Sequence, residues 1–195
     1  YTDKKHIKTG ISKDSGLADG RNRSSYPDGR MSYMGNDPVN ALTGAFLWSY
    51  TWLEEYGRDS LHFTTMYDSR REAGDGALGK KWTHSLGYTL SMDEEYAYFA
   101  TPYDHVTAFV RDPETDSFRP AKGESSYEME QGGDGCYTVR AGDGTAYIFD
   151  SGLCLNRIVE NGLTAYSFRT DEEGQIVRME GRHGAGLDLT YSVIR

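Results

Sequence analysis

Apolar and polar residues alternate along the chain from residue 46 onward. Every second residue from Phe46 to Trp52 is a large aromatic one, and the same period of two returns from Leu61 to Tyr67 after a turn around Gly57. A period of two places alternate side chains on one face of a β-strand. We therefore predict two antiparallel strands, with the aromatic stripe packed in a core.

Turn signals separate the shorter apolar runs that follow. Segments rich in glycine and aspartate occur at 131–135, 142–144 and 150–152, and the signals recur roughly every 8 to 12 residues, a spacing typical of all-β proteins. No window carries the apolar stripe of an amphipathic helix. The pattern predicts an all-β fold of short antiparallel hairpins.

The last third of the chain repeats itself. The segment Gly144–Phe149 recurs at 163–168, an offset of 19 residues, and a partial third copy follows at Leu189–Tyr191. The repeat unit is predicted to be a β-hairpin of about 20 residues. Such a hairpin cannot bury its own apolar face, so it must stack on its neighbours.

Charge divides the chain into two parts. The sequence holds 21 basic and 30 acidic residues, and this net charge of −9 argues against a nucleic-acid partner because it repels phosphate backbones. The first 35 residues instead hold seven basic and four acidic residues without an apolar period, which predicts a basic polar linker or strap over 1–35. No apolar run reaches the roughly 18 residues that a membrane-spanning helix needs.

Histidines are the first candidates for catalytic or metal chemistry. His84 precedes Ser85 and has no cysteine nearby, so a structural hydrogen bond is favoured over a role as general base. His62, His105 and His183 have no second ligand at the spacing of a zinc site. We predict no catalytic, cofactor or metal site and a chain that is not an enzyme.

An acidic cluster and a pair of cysteines also bear on metal and redox chemistry. Asp112, Glu114 and Asp116 alternate like calcium ligands, but the glycine and the closing glutamate of a calcium loop are absent. The cluster is interpreted as a solvated hairpin tip. Cys136 and Cys154 leave both a disulfide and two free thiols open.

The aromatic stripe allows a second hypothesis for function. Trp48, Tyr50 and Trp52 could stack against sugars if their rings were exposed. Core packing is favoured, because four large rings on one strand usually have to be covered. A carbohydrate- or cell-wall-binding surface module is the alternative to a structural role.

Three segments carry specific motifs: Asp37–Gly44, Leu61–Tyr67 and Leu78–Ser85. Together they resemble the start of the Rhs/YD-repeat region of bacterial polymorphic toxins and wall-associated proteins, and the tail resembles the YD repeats themselves. The resemblance assigns 36–135 to an Rhs-opening β region and 136–195 to YD-type hairpin repeats continuous with it. The residues that carry the motif, with structural roles, are Asp37, Pro38, Val39, Asn40, Thr43, Gly44, Tyr67, Gly79, Trp82 and His84.

The resemblance implies a long β-sheet that spirals into a hollow shell around a C-terminal toxin or other cargo. It implies a scaffold without cofactors in a secreted or surface-delivered bacterial protein, whose export signal is expected outside this sequence. The expected partners are the remaining repeats and the cargo of the same parent protein. An open sheet edge is expected over 187–193, and such edges favour self-association.

Overall fold

The computed structural model describes residues 4–7, 39, 44–71, 78–103, 105–121 and 126–194. All regular structure in these residues is β-strand, which confirms the all-β prediction. Sixteen strands occur in this part of the chain: β1 (Lys4–Ile7), β2 (Leu47–Glu55), β3 (Leu61–Asp68), β4 (Trp82–His84), β5 (Thr89–Met92), β6 (Tyr96–Ala100), β7 (Val106–Arg111), β8 (Phe118–Pro120), β9 (Tyr127–Gln131), β10 (Tyr137–Ala141), β11 (Ala146–Phe149), β12 (Leu155–Glu160), β13 (Leu163–Thr170), β14 (Ile176–Gly181), β15 (Gly186–Asp188) and β16 (Tyr191–Ile194).

The strands form four antiparallel sheets in two compact units. The first unit holds a three-stranded sheet, β2-β3-β4, and a two-stranded sheet of β1 and β16. The second unit holds a four-stranded sheet, β5 to β8, and a seven-stranded sheet in which β9 to β15 follow one another in chain order. Residues 57–59 also belong to the second unit.

Five hairpins of the seven-stranded sheet close through the same five-residue turn. The N–H of the first residue donates to the carbonyl of the fifth, and the N–H of the fourth donates to the carbonyl of the first. The fourth residue has positive φ in each, as in a type I turn followed by a glycine bulge. The turns span 132–136, 141–145, 150–154, 171–175 and 181–185.

The two similar segments found in the sequence lie on β11 and β13, each the first strand of a hairpin. The partial third copy does not continue this sheet. Leu189 lies outside any strand, and β16 pairs with β1 in register from Lys4 opposite Ile194. The expected open edge over 187–193 falls on two strands: β15 is the last strand of the seven-stranded sheet, and β16 pairs, among the described residues, on one side only, with β1.

Aromatic rings fill the core of the second unit. Phe99 is fully buried, and its ring centroid lies 5.2 Å from those of Tyr127 and Tyr147 and 6.1 Å from that of Phe149. Tyr88 stacks on Phe99 at 6.2 Å. Burial raises the pKa of both Tyr88 and Tyr147. Large rings thus supply a core in a chain with only 37% apolar residues.

Replacement of Phe99 by alanine tests this core. The Phe99→Ala variant should lose about 3 to 5 kcal/mol of unfolding free energy, because a fully buried ring leaves a cavity among four other rings. Val106→Ala is the control, since Val106 is 56% exposed on a strand that pairs with that of Phe99. It should cost less than about 1 kcal/mol. Urea denaturation measures both, and equal losses would contradict the assignment of Phe99 to the core.

Candidate functional site

One face of the β2-β3-β4 sheet holds three of the large exposed aromatic side chains among the described residues, namely Trp48, Tyr50 and Trp52. The strand register places side chains from all three strands in two rows on this face, because antiparallel partners project to the same side. We call it the aromatic face. Its first row is Trp48, Tyr67 and Trp82, and its second row is Tyr50, Thr65 and His84.

A β-bulge in β2 adds Trp52 to this face. The register shifts between Thr51 and Leu53, so Trp52 is the extra residue. Its indole Nε1 donates to Thr65 Oγ1 at 3.0 Å, and its ring lies edge-on to Tyr50 with centroids 4.7 Å apart. Bulges commonly re-aim a side chain in this way. The threonine hydroxyl thus fixes Trp52 beside Tyr50.

The rings on β2 are exposed to solvent, so the prediction that they pack in a core is wrong. Trp48 is 53% exposed, Trp52 39% and Tyr50 37%. Most of the buried side chains of this sheet belong to β3, the central strand, with Phe63 buried on the aromatic face and Met66 on the opposite one, while β2 contributes Leu47. Alternation identified the stripe correctly, but burial depends on the strand's position in the sheet, and β2 is an edge strand.

His84 is held as a neutral imidazole at the buried end of the face. Its ring centroid lies 5.5 Å from that of Phe63, and Nδ1 accepts a hydrogen bond from the Leu86 N–H at 3.2 Å. Burial lowers the pKa of His84 to about 4. Because Nδ1 accepts, the ring proton lies on Nε2. The imidazole stabilises the turn in which the Gly87 N–H donates to the His84 carbonyl at 2.8 Å.

A row of hydroxyl groups crosses the opposite face of the same sheet. Thr64 Oγ1 lies 2.9 Å from Thr51 Oγ1 and 2.8 Å from His62 Nε2. The Thr64 backbone N–H donates to Ser85 Oγ, and the Ser85 N–H donates to the Thr64 carbonyl. These contacts tie β4 and its following turn to β3.

The structure brings together only some of the motif residues identified in the sequence. Asp37, Pro38, Asn40 and Thr43 lie outside the described residues. Tyr67, Trp82 and His84 lie on the aromatic face, as shown above. Val39 is 39% exposed and forms an antiparallel bridge with Phe46, while Gly44 and Gly79 adopt positive φ of 69° and 90°. Their backbone conformations favour glycine.

The acidic residues considered as calcium ligands form local hydrogen bonds and an ion pair instead. Asp112 Oδ1 accepts from the N–H groups of Glu114 and Thr115, which lowers its pKa, and Asp116 forms an ion pair with Arg111. Cys136 and Cys154 are free thiols. Across the described ranges, no group of three or more His, Cys, Asp or Glu side chains is arranged to hold a metal ion.

Comparison with known proteins adds one match. Residues 36–109 match a family described as Domain of unknown function (DUF6531). No curated protein matches the chain. The matched segment includes β2 to β4 and hence the whole aromatic face. In the part of the chain that the structure describes, no helix is long and apolar enough to cross a membrane.

The partly buried imidazole of His84 predicts a specific pH dependence of stability. Because the pKa of His84 is lower in the folded state than its ordinary value near 6.5, the unfolded state takes up the proton first as the pH falls. The contribution to stability is complete above about pH 6.5 and is lost toward pH 4, by about 2 to 3 kcal/mol. His84→Gln does not titrate, so the difference in stability between wild type and variant should shrink over this range. A constant difference from pH 7 to pH 4 would contradict the assignment.

Proposed function

We propose that this chain is a structural segment of an Rhs/YD-repeat β-shell that encloses a C-terminal toxin or other cargo of a secreted or surface-delivered bacterial protein. The observation that supports it best is the unbroken meander from β9 to β15, in which each strand pairs with the next one in the sequence. Such a sheet grows by whole hairpins, at about 4.8 Å per strand. Repetition of the hairpin is a simple way to build a long wall.

The two faces of this sheet differ in the way a wall requires. Every strand contributes a buried apolar side chain, in chain order Met129, Val139, Phe149, Ile158, Phe168, Met179 and Leu187. Charged residues project from the opposite face, where Arg140 lies 3.3 Å from Glu130 and Arg178 lies 2.9 Å from Asp188. One apolar and one charged face suit a sheet that separates an enclosed volume from solvent. Steric exclusion of this kind needs no catalytic residue.

Protease protection of the cargo in the full-length parent tests the shell. Val139→Asp places a charge at a fully buried position of the sheet, so cleavage of the cargo should accelerate by about tenfold or more. An exposed position of the same sheet offers a matched control, and Asn156→Asp, which adds the same charge on β12, should change the rate by less than about twofold. Deletion of 36–195 should abolish protection. Equal protection in the deletion variant would show that this segment is not part of a shell.

A second candidate function is carbohydrate or cell-wall binding through the aromatic face. The exposure of Trp48, Tyr50 and Trp52 supports it, since sugar-binding surfaces need accessible rings and contiguous exposed apolar patches mark interaction sites. The hydrogen bond from Trp52 to Thr65 holds one of these rings in place before any ligand binds. Preorganisation of this kind reduces the entropic cost of binding.

Retention on immobilised cell-wall polysaccharide distinguishes the two candidates. If the aromatic face binds glycans, Trp48→Ala should weaken retention by about tenfold, while its unfolding free energy changes by less than about 1 kcal/mol. Trp52→Ala should weaken retention to a similar extent, with a larger loss of stability because its hydrogen bond to Thr65 is removed. Tyr56→Ala is the control, because Tyr56 is 81% exposed but lies beyond the end of β2. Absence of retention by the wild-type protein, or equal retention by all variants, would reject glycan binding and leave the shell proposal unaffected.

A further inference from the structure

The turn at 181–185 differs from the other four turns of its type in having no aspartate of its own. Two of them begin with aspartate, at Asp150 and Asp171, and two carry it at the third position, at Asp134 and Asp143. The fifth has the sequence Gly-Arg-His-Gly-Ala. It nevertheless adopts the same backbone hydrogen bonds, with the Gly181 N–H 2.8 Å from the Ala185 carbonyl.

An aspartate at the first position satisfies two backbone donors inside the turn. Asp171 Oδ1 accepts from the N–H groups of the third and fifth residues, Glu173 at 3.0 Å and Gln175 at 2.9 Å. Asp150 does the same for Gly152 and Cys154, at 2.9 and 3.0 Å. Aspartate commonly stabilises turns through such local bonds. The first-position carboxylate is therefore part of this turn's geometry.

Asp59 makes the same two contacts with the 181–185 turn. The backbone N–H of His183 donates to Asp59 Oδ1 at 2.9 Å and to Oδ2 at 2.8 Å, and the backbone N–H of Ala185 donates to Oδ2 at 3.1 Å. His183 and Ala185 are again the third and fifth residues. Asp59 is only 8% exposed, and residues 57–59 belong to the same compact unit as the turn. Charge-assisted bonds to backbone N–H groups are stronger than neutral ones.

Gly181 provides the space for this carboxylate. A Cβ atom at Gly181 would lie 2.5 Å from Asp59 Cγ and 2.7 Å from both Asp59 Cβ and Oδ2. The backbone of Gly181 does not have the positive φ that would itself favour glycine. Glycine is needed at position 181 for steric reasons, because Asp59 occupies the volume that a Cβ atom at this position would fill.

We propose that Asp59 supplies, from a segment 124 residues away from His183, the turn carboxylate that the other hairpins carry within their own sequence. The 181–185 turn is then a carboxylate-binding site whose ligand is the segment 57–59. The last hairpin of the seven-stranded sheet acquires its full set of turn hydrogen bonds only when this segment is bound. The stability of the β14-β15 hairpin thereby depends on residues that lie far from it in the sequence.

Transfer of the carboxylate back to the turn tests this proposal. The variants are Asp59→Gly, Gly181→Asp and the double variant, with Arg58→Gly as a control for flexibility in the same exposed loop. Glycine is chosen at position 59 because an alanine Cβ would still lie 2.7 Å from the new Cβ at 181. Amide hydrogen exchange of His183 and Ala185 in the 195-residue chain is the readout.

Asp59→Gly should lower the protection of both amides by about tenfold or more, because two charge-assisted hydrogen bonds are lost. Gly181→Asp alone should also lower it, since two carboxylates then compete for one volume. The double variant should recover protection to within about threefold of wild type, so that two individually harmful changes compensate. Arg58→Gly should leave both amides as in wild type.

The rescue also decides the result if Asp59→Gly does not fold. A double variant that regains the cooperative urea transition supports the proposal, and one that remains as unstable as Asp59→Gly overturns it. Unchanged protection of His183 and Ala185 in Asp59→Gly overturns it as well. A Gly181→Asp variant as stable as wild type would show that the volume beside Asp59 is not limiting, which also rejects the proposal.

Discussion

The hydrogen bonding of each strand to its neighbour in the sequence is the constraint on which most of this structure depends. A strand of four to eight residues is not stable alone, so it needs at least one hydrogen-bonded neighbour and a covered apolar face. Pairing with the next strand requires a tight reversal, and the five-residue turn with a positive φ at its fourth position supplies it. Glycine occupies that position in four of the five turns, and Leu153 in the other. These reversals thus account for four of the 23 glycines of the chain.

Much of this fold follows from the sequence because it is local. A period of two predicted β2 and β3, and the self-similarity of 144–149 and 163–168 located two first strands of hairpins. Burial of the stripe on β2 could not be predicted, since alternation shows which residues share a face and not whether anything covers that face. The bulge at Trp52 could not be predicted either, because the spacing of two between aromatic residues is unchanged at this position. The pairing of β1 with β16 joins the two ends of the sequence, where no pattern predicts a partner.

The aromatic face combines two kinds of environment on one sheet. At one end Phe63 and His84 are packed closely enough to keep the imidazole neutral, and at the other Trp48 is half exposed. The packed end gives rigidity to the exposed end, because Thr65 lies opposite both His84 and Tyr50 and also accepts the hydrogen bond from Trp52. A rigid, exposed set of rings suits either contact with further chain or contact with sugars. The geometry therefore supports an interaction surface more directly than it specifies the partner.

The contact between Asp59 and the 181–185 turn shows why the sequence alone does not reveal which carboxylate this turn uses. Gly181 stands where two other turns have aspartate, so the sequence suggests a degenerate turn. In space the missing carboxylate is present, supplied by Asp59, and the glycine is what admits it. The two positions are separated by most of the chain, so neither residue reveals the other in a single sequence. Gly181, which lacks the aspartate found in two other turns, is in the folded chain the residue that allows Asp59 to approach the turn.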